Sequence, residues 1–265
     1  MKKLFFMGFA LLLCAMWPAD AAAQLKIGGR KLNTGKLLEA GKDVAKAVTL
    51  SDKDIAQLSR EAVEWMDANN PIADETTEYG ARLKRLTEGI TEINGLPLNF
   101  KVYHVVDVNA FACGDGSIRV FSALMDLMDD DELMAVIGHE IGHVVHTDSK
   151  DAMKNAYLAA AAKSAAGAAG GVLEKLTDSQ LGEIAQALSN AQFSQKQETE
   201  ADEYGFEFCI KHGFDPYGMA NALEKLNNLS EGQKASKFQQ MFSSHPDSAK
   251  RASRMKEKAD AYLNK

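Results

Sequence analysis

The chain has 265 residues, of which 46% are hydrophobic and 25% are charged, with three cysteines and five prolines. These proportions are typical of a globular protein and exclude a disordered chain, a collagen-like repeat and a disulfide-dense miniprotein. The 37 acidic residues outnumber the 30 basic residues, which gives a formal charge of −7. Because a general nucleic-acid-binding surface needs an excess of basic residues, we expect no nucleic-acid partner.

The first 23 residues have the pattern of a secretory signal peptide. Lys2 and Lys3 supply positive charge, an apolar stretch follows over 4–17, and three alanines at 21–23 offer a cleavage site. This apolar stretch is short for a membrane-spanning helix, which needs about 20 residues. We therefore predict that residues 1–23 are removed and that the protein is exported, to the periplasm or an envelope-associated location.

The cysteines agree with export but do not specify a disulfide. Leu13, rather than a small residue, precedes Cys14, which argues against lipidation of that cysteine. Once residues 1–23 are removed, Cys113 and Cys209 remain, and the sequence leaves open whether they pair or stay as two buried thiols. Peripheral membrane association and the oligomeric state also stay open. We divide the mature chain into an N-terminal segment, 24–50, and a single domain, 51–265.

The elements of this domain begin with two predicted helices, over 51–69 and 76–93, where capping residues precede an apolar stripe. β-Branched and aromatic residues then predict strands over 100–106, 109–112 and 117–121. From residue 122 onward the pattern is helical almost throughout, and we interpret the alanine- and glycine-rich stretch 156–171 as a closely packed helix. A small sheet followed by many helices predicts an α+β fold.

The first candidate for chemistry is the sequence His139-Glu140-Ile141-Gly142-His143, inside a stretch so apolar that we predict a buried helix. Residues four apart lie on one helix face, so both histidines can bind the same metal ion. Glu140 then lies beside the water that the metal activates, as a general base requires. The alternative is a pair of core histidines hydrogen-bonded to backbone carbonyls, since buried polar groups need partners.

A catalytic zinc site usually has three protein ligands and one open position, so a third ligand is needed. His146 does not qualify, because along a straight helix it lies about 10 Å from His139. An elongated motif with a further histidine is also missing, since Ser149 stands at that position. The third ligand must come from another segment.

Helical phase in the segment 194–210 separates two sets of acidic residues. One set shares a charged and solvated face with Lys211, and consists of Glu200, Glu203 and Glu207. Glu198 and Asp202 lie on a different face, beside Gly205 and Cys209. We predict that Glu198 binds the metal and that Asp202 hydrogen-bonds a ligand histidine. The alternative is that both are ordinary surface carboxylates.

The His-Glu-Ile-Gly-His motif, followed some fifty residues later by E-x-E-A-D-x-x-G, resembles the HtpX/CAAX-protease-type zinc metallopeptidases, metallopeptidase family forty-eight. The similarity covers nearly the whole mature chain and is greatest to the exported LoiP/BepA-like envelope members. It implies a mostly helical zincin-type domain with one zinc ion per chain, bound by His139, His143 and Glu198. It also implies that the small sheet has an edge strand lining the active site.

The resemblance assigns roles to two further segments. Its substrate-binding edge strand, to which extended polypeptides add by β-augmentation, corresponds to Asn109, Ala110, Phe111, Ile118 and Val120. His245 is implied to approach the zinc and hold the enzyme latent, or to stabilise the oxyanion, and Arg251 to orient this segment. One departure is that His146-Thr147 stand where many relatives have Arg-His, which leaves the role of His146 open.

We therefore expect a zinc metalloendopeptidase that hydrolyses unfolded or misfolded envelope proteins, in which Glu140 moves the proton from water to the leaving amine. One alternative is an exported chaperone-like or scaffold protein with a latent or structural zinc site, although such a site has no need of Glu140. Another is a zinc hydrolase acting on a non-peptide amide, against which the extended edge strand argues.

Overall fold

A computed structural model describes residues 26–27, 30–31, 50–167, 176–232 and 244–265. The predicted signal peptide and Cys14 lie outside the described residues. The chain divides into two compact units, Met1–Thr49 with Ala161–Lys175, and Leu50–Ala160 with Leu176–Lys265. In the first unit, β1 (Lys26–Ile27) and β2 (Arg30–Lys31) form an antiparallel pair.

The second unit contains the helices and the other strands. Its helices are α1 (Asp52–Asn69), α2 (Glu78–Leu86), α3 (Ser122–Leu127), α4 (Asp130–Val145), α5 (Asp148–Gly167, which continues into the first unit), α6 (Asp178–Ser189), α7 (Gln195–His212), α8 (Gly218–Gly232) and α9 (Ser248–Leu263). Its strands are β3 (Ile72–Ala73), β4 (Glu92–Ile93), β5 (Leu96–Pro97), β6 (Asn99–Tyr103), β7 (Ala110–Ala112) and β8 (Ser117–Phe121). The predicted α+β class with mostly helical structure is confirmed.

The first two predicted helices are present, but the second is shorter than predicted. Ser51 caps α1 in a capping box with Asp54, as the sequence indicates. The prediction of a helix over 76–93 is wrong beyond Leu86, where α2 ends. Gly89 has a φ of 81°, and the chain then turns back at Asn94-Gly95 between β4 and β5. A positive φ does not occur inside a right-handed helix, so Gly89 and then Asn94-Gly95 prevent the helix from continuing despite the apolar spacing.

A four-stranded sheet has the order β3-β6-β8-β7. The two inner strands β6 and β8 are parallel, whereas β3 and β7 pair antiparallel and are the edge strands of this sheet among the described residues. Ala110 and Phe111 therefore lie on an edge strand, as the resemblance implied. Ile118 and Val120 do not, because they lie on β8, which pairs with β6 on one side and β7 on the other.

Helix α4 is the centre of the core, with every residue from Glu132 to Val144 buried. It packs against the sheet and against α7 and α8. Glycines allow α4 and α7 to approach closely: a Cβ on Gly142 would lie 3.0 Å from the Cα of Ala201, and one on Gly205 would lie 2.9 Å from the His139 nitrogen. Because the two backbones nearly touch, side chains on their facing surfaces converge.

The described residues settle one alternative that the sequence leaves open. Cys113 and Cys209 are both buried free thiols, so they do not form a disulfide. Burial raises the pKa of both thiols, to about 12 for Cys209. Among the described residues, no helix is both long and apolar enough to cross a membrane.

Candidate metal centre

Three elements bring four buried side chains together: His139 and His143 from α4, Glu198 from α7, and His245 from the segment before α9. One ligand atom from each lies within 4.8 Å of the other three. The Nε2 atoms of His139 and His143 are 3.1 Å apart. Glu198 oxygens lie 3.7 Å and 3.6 Å from these two nitrogens. Ligands at about 2.0–2.1 Å from a tetrahedral zinc are roughly 3.3–3.4 Å apart, so the three side chains fit such an ion.

The other ring nitrogen of each α4 histidine is held by a carboxylate. Nδ1 of His139 lies 3.0 Å from Asp202, and Nδ1 of His143 lies 2.9 Å from Asp148. An ionised carboxylate can only accept a hydrogen bond, so both Nδ1 atoms donate. Each Nε2 then directs a lone pair into the centre. The two Nε2 atoms are 3.1 Å apart, a distance that suits two ligands of one metal ion or, without the ion, a proton shared between the rings.

The charges of the site also fit a divalent cation. Four buried carboxylates surround the histidines, those of Glu140, Asp148, Glu198 and Asp202. Within the described part of the chain, two guanidinium groups contact them. Arg251 pairs with Glu198 and, at 2.6 Å, with Asp202, while Arg254 lies 2.7 Å from Asp202. When the histidines are neutral, as metal binding requires, two of these carboxylates have no cationic partner among the described residues, and a divalent ion would supply the missing charge.

The protonation states of Glu198, Asp202 and His139 suit metal binding. Burial opposes the ionisation of Glu198, but the neighbouring imidazoles of His245, His143 and His139 hold its pKa well below its usual range. Burial likewise opposes ionisation of Asp202, whose pKa the hydrogen bonds from Arg251 and His139 nevertheless lower to about 2. Burial lowers the pKa of His139. Glu198 is therefore an anion and His139 a neutral base near neutral pH.

Glu140 and the edge strand share a cavity. Its lining includes Glu140, His245, Phe193 and the β7 residues. The Glu140 carboxylate is buried, and its Oε1 accepts no hydrogen bond from the described residues. It lies 3.6 Å from Nε2 of His245. A carboxylate oxygen without a donor, beside a histidine cluster, is placed to take a proton from a reacting group.

His245 lies at the open side of the cluster. Its Nδ1 is 2.9 Å from Glu198 Oε1 and 3.3 Å from His139 Nε2. The distances among the other three ligands are 3.1–3.7 Å, so His245 lies close enough to occupy the fourth corner of a tetrahedron. Arg251 is six residues further on, and its Nη1 donates to the Pro246 carbonyl oxygen at 3.4 Å. Arg251 thus connects the His245 segment to the carboxylates of α7.

Comparison with known sequences agrees with this geometry. Residues 79–259 match the sequence model described as peptidase family M48. The chain belongs to peptidase family M48. It is 41% identical to the metalloprotease LoiP of Escherichia coli strain K12 over 248 residues, which cover 93% of this chain and 97% of LoiP. It is 39% identical to the metalloprotease YcaL of the same strain, over 86% of this chain and 88% of YcaL.

The chain also matches part of a longer relative. The chain is 33% identical to the beta-barrel assembly-enhancing protease of Yersinia pestis, over 60% of this chain and 35% of that protein. As an M48 member, the chain is a metalloprotease that acts on peptide substrates and uses a divalent metal ion.

In this M48 protease, the faces of α7 follow the predicted phase. Glu198 and Asp202 are 1% and 0% exposed, whereas the side chains of Glu200 and Glu207 are 40% and 67% exposed. His146 is exposed at the end of α4, where its ring meets Tyr204 edge-on. The structure brings together six of the predicted site residues: His139, His143, Glu198, Asp202, His245 and Arg251. Asn109 directly precedes β7, and its side chain donates to the Ser189 carbonyl oxygen at 3.2 Å.

Three residues of this M48 site were missed by sequence reasoning. Asp148 and Arg254 contact His143 and Asp202, and Gln197 donates to Asp148 at 2.7 Å. Arg254 follows Arg251 by three residues on α9, so helical spacing offered a signal. No comparable signal marked Asp148, since it follows Thr147, whose φ of 68° reverses the chain.

Proposed function

We propose that this M48 protease is a zinc-dependent endopeptidase of the cell envelope, with one zinc ion per chain bound by His139, His143 and Glu198. The observation that carries the proposal is the convergence of the His139 and His143 Nε2 atoms and a Glu198 oxygen on one point, next to a Glu140 Oε1 that accepts no hydrogen bond from the described residues. A bound zinc ion supplies Lewis acidity, which activates water and polarises a carbonyl group. The protein's own side chains carry out all other steps.

Glu140 is the proposed general base and acid. Its carboxylate takes a proton from the attacking water and then delivers that proton to the amine of the departing peptide. Asp202 orients His139 through their 3.0 Å hydrogen bond. The substrate lies extended against β7, which the described residues pair only with β8. Main-chain hydrogen bonds to β7 hold any extended polypeptide with little sequence preference, which favours unfolded or misfolded proteins.

The envelope assignment draws on the sequence and on the relatives. Residues 1–23 have the secretory pattern, and we propose that they are removed and that 51–265 form the peptidase domain. One relative is named for enhancing β-barrel assembly. Misfolded proteins of the periplasm or outer envelope are therefore the proposed substrates.

The test of this function is cleavage of unfolded casein by the mature protein, with a chelator and with zinc added back. We expect the chelator to stop cleavage and zinc to restore it. Glu140→Gln should retain zinc and reduce cleavage at least about 100-fold, because it removes the proton carrier but no ligand. Undiminished cleavage by this variant would exclude the assignment.

His245 is proposed to hold the enzyme latent, since its Nδ1 lies at the fourth corner of the ligand set. Opening the site then requires His245 to leave. We expect His245→Ala to cleave casein faster than the wild type. Slower cleavage would favour the alternative role, stabilisation of the oxyanion. Zinc binding without cleavage in both forms would favour the chaperone-like or scaffold function instead.

A further inference from the structure

We propose that Asp148 and Gln197 are positioning residues for metal binding, which hold the proton of His143 on Nδ1 and keep its Nε2 free to bind the ion. This role depends on the proposed function in one respect, because it takes His143 as a metal ligand. Neither residue belongs to the motifs that define the site. Together with Ser194, they form a chain of hydrogen bonds that we call the His143 relay.

The His143 relay begins at a sharp turn between α4 and α5. Thr147 takes a left-handed φ of 68°, which is uncommon for a β-branched residue and places Asp148 directly behind the ring of His143. The Asp148 side chain is buried, and its Oδ2 lies 2.9 Å from Nδ1 of His143. A strained residue at this link is consistent with a position that function selects.

The orientation of the Gln197 side-chain amide determines which groups in the relay donate and which accept. Its Oε1 accepts from the Ser194 backbone nitrogen at 2.9 Å, in the capping box of α7. A backbone N–H can only donate, so this contact identifies the Gln197 oxygen. Its Nε2 must then face Asp148 Oδ1, 2.7 Å away, as a donor. Both Asp148 oxygens are used as acceptors, one by Gln197 and one by His143.

The consequence is a defined tautomer. Since Asp148 accepts at both oxygens, Nδ1 of His143 must carry the proton, and Nε2 carries the lone pair that faces His139 at 3.1 Å. Gln197 is also adjacent to Glu198 in sequence, so the relay joins the helix of one ligand to the ring of another. The carboxylate that contacts His139, Asp202, accepts hydrogen bonds from two arginines. The carboxylate that contacts His143, Asp148, accepts one from the neutral amide of Gln197.

Two single variants and their combination test the relay. Asp148→Asn has one acceptor oxygen for two donors, so either Gln197 or His143 loses its partner. Gln197→Glu retains the capping box, in which glutamate is favoured, but sets a carboxylate against Asp148. We expect each to weaken zinc binding about 10–100-fold, the usual effect of changing a partner of a ligand histidine.

The double variant D148N/Q197E exchanges the donor and the acceptor of the contact between positions 148 and 197. The new amide donates to the new carboxylate, and its oxygen again accepts from His143. We expect zinc affinity to return to within a few-fold of the wild type. A purely structural role for these residues does not predict this rescue. Wild-type affinity in both single variants would overturn the relay, and so would a double variant whose loss equals the sum of the single losses.

Zinc affinity is measured on the full mature chain by competition with a chelator, with thermal unfolding of the metal-free form to show that each variant folds. Gln180→Glu is the matched control, because Gln180 accepts from the Thr177 nitrogen at 2.9 Å in the capping box of α6. It should bind zinc as the wild type does. Loss of affinity in this control as well would attribute the effect to capping and overturn the relay.

A second measurement is independent of metal and of proteolysis. In the metal-free protein, at a pH where the His143 ring is neutral, nitrogen NMR shifts report which of its two nitrogens carries the proton. We expect the proton on Nδ1, and a proton on Nε2 would overturn the relay. A wild-type protein that binds no zinc contradicts the proposed function, whereas this tautomer still decides whether the relay exists.

Discussion

The metal centre and a second buried ionic group, beside the sheet, use similar residues with opposite balances of charge. We call the second group the Asp67 cluster: Asp67, Lys101, Tyr103 and Arg119. Four donors, from the other three side chains, contact the two Asp67 oxygens at 2.7–3.0 Å. Arg119 is 1% exposed, and its remaining Nη1 donates to the backbone oxygens of Asn99 and Ile118. The single carboxylate is fully compensated.

At the metal centre, by contrast, carboxylates outnumber guanidinium groups by four to two, and two histidine lone pairs face each other. The difference distinguishes a structural cluster from a functional one. A cluster whose carboxylate is fully paired stabilises the fold without help, whereas one with unpaired carboxylates needs a ligand to neutralise it. Perturbing the first should therefore change the free energy of unfolding, and perturbing the second should change metal binding.

The largest effect is expected at the Asp67 cluster. Arg119→Met leaves the partly buried Asp67 with only Lys101 and Tyr103, and breaking such a pair costs up to about 3 kcal/mol of unfolding free energy. Urea unfolding in the presence of a chelator measures this loss. The matched control is Arg85→Met. The Arg85 side chain is 61% exposed and pairs with Asp130 at the surface, so its loss should cost less than about 1 kcal/mol of unfolding free energy.

Zinc affinity should not respond to a change in the Asp67 cluster. It should be unchanged in the folded Arg119→Met variant, because Arg119 contacts no residue of the metal centre in the hydrogen bonds described above. A large loss of affinity there would show that the two clusters are coupled. The contrast between them would then be wrong.

A smaller change in free energy, but a specific one, is expected on α7. Glu198→Ala removes a ligand and should weaken zinc binding more than about 100-fold, beyond the effect of altering a ligand's partner. Glu200→Ala, two residues away, changes a half-exposed side chain and should bind zinc as the wild type does. Metal analysis after dialysis compares the two variants. The reverse result would contradict the assignment of the inner face of α7.

The sequence predicted most of the metal centre because its residues lie on regular helices. On α4 and α7 the 3.6-residue period gives the direction of each side chain, so the pairing of His139 with His143 and the inward position of Glu198 follow from spacing. Asp148 is different, since its position depends on the φ of Thr147, which no periodicity reveals. The His143 relay was therefore not predictable from spacing.

The Asp67 cluster was missed for a related reason. Its contacts join α1 to strands more than thirty residues away, and the Arg119 contact spans 52 residues. In a strand reading Ser-Ile-Arg-Val-Phe, an arginine predicts a solvent-facing position. Every residue of β8 is buried, however, because the strand is inside the sheet and covered on both faces. Pairing between strands and burial on two faces depend on tertiary structure, which local patterns do not encode.

The smallest expected effect is the acid response of the Asp67 cluster. Burial opposes ionisation of Asp67, but hydrogen bonds from Arg119, Lys101 and Tyr103 outweigh it and lower the pKa below the ordinary value of 3.8. A carboxyl whose pKa is lower in the folded state stabilises the fold above its unfolded pKa, and this stabilisation is lost as the pH falls through the folded value. Asp67→Asn has no such proton linkage. In urea titrations with a chelator, the stability difference between wild type and Asp67→Asn should be constant from pH 7 to about 5 and shrink below about pH 4. A difference that stays constant through this acid range would mean that Asp67 is no better stabilised as an anion in the folded protein than in water, and the cluster would then not be the compensated structural counterpart of the metal centre.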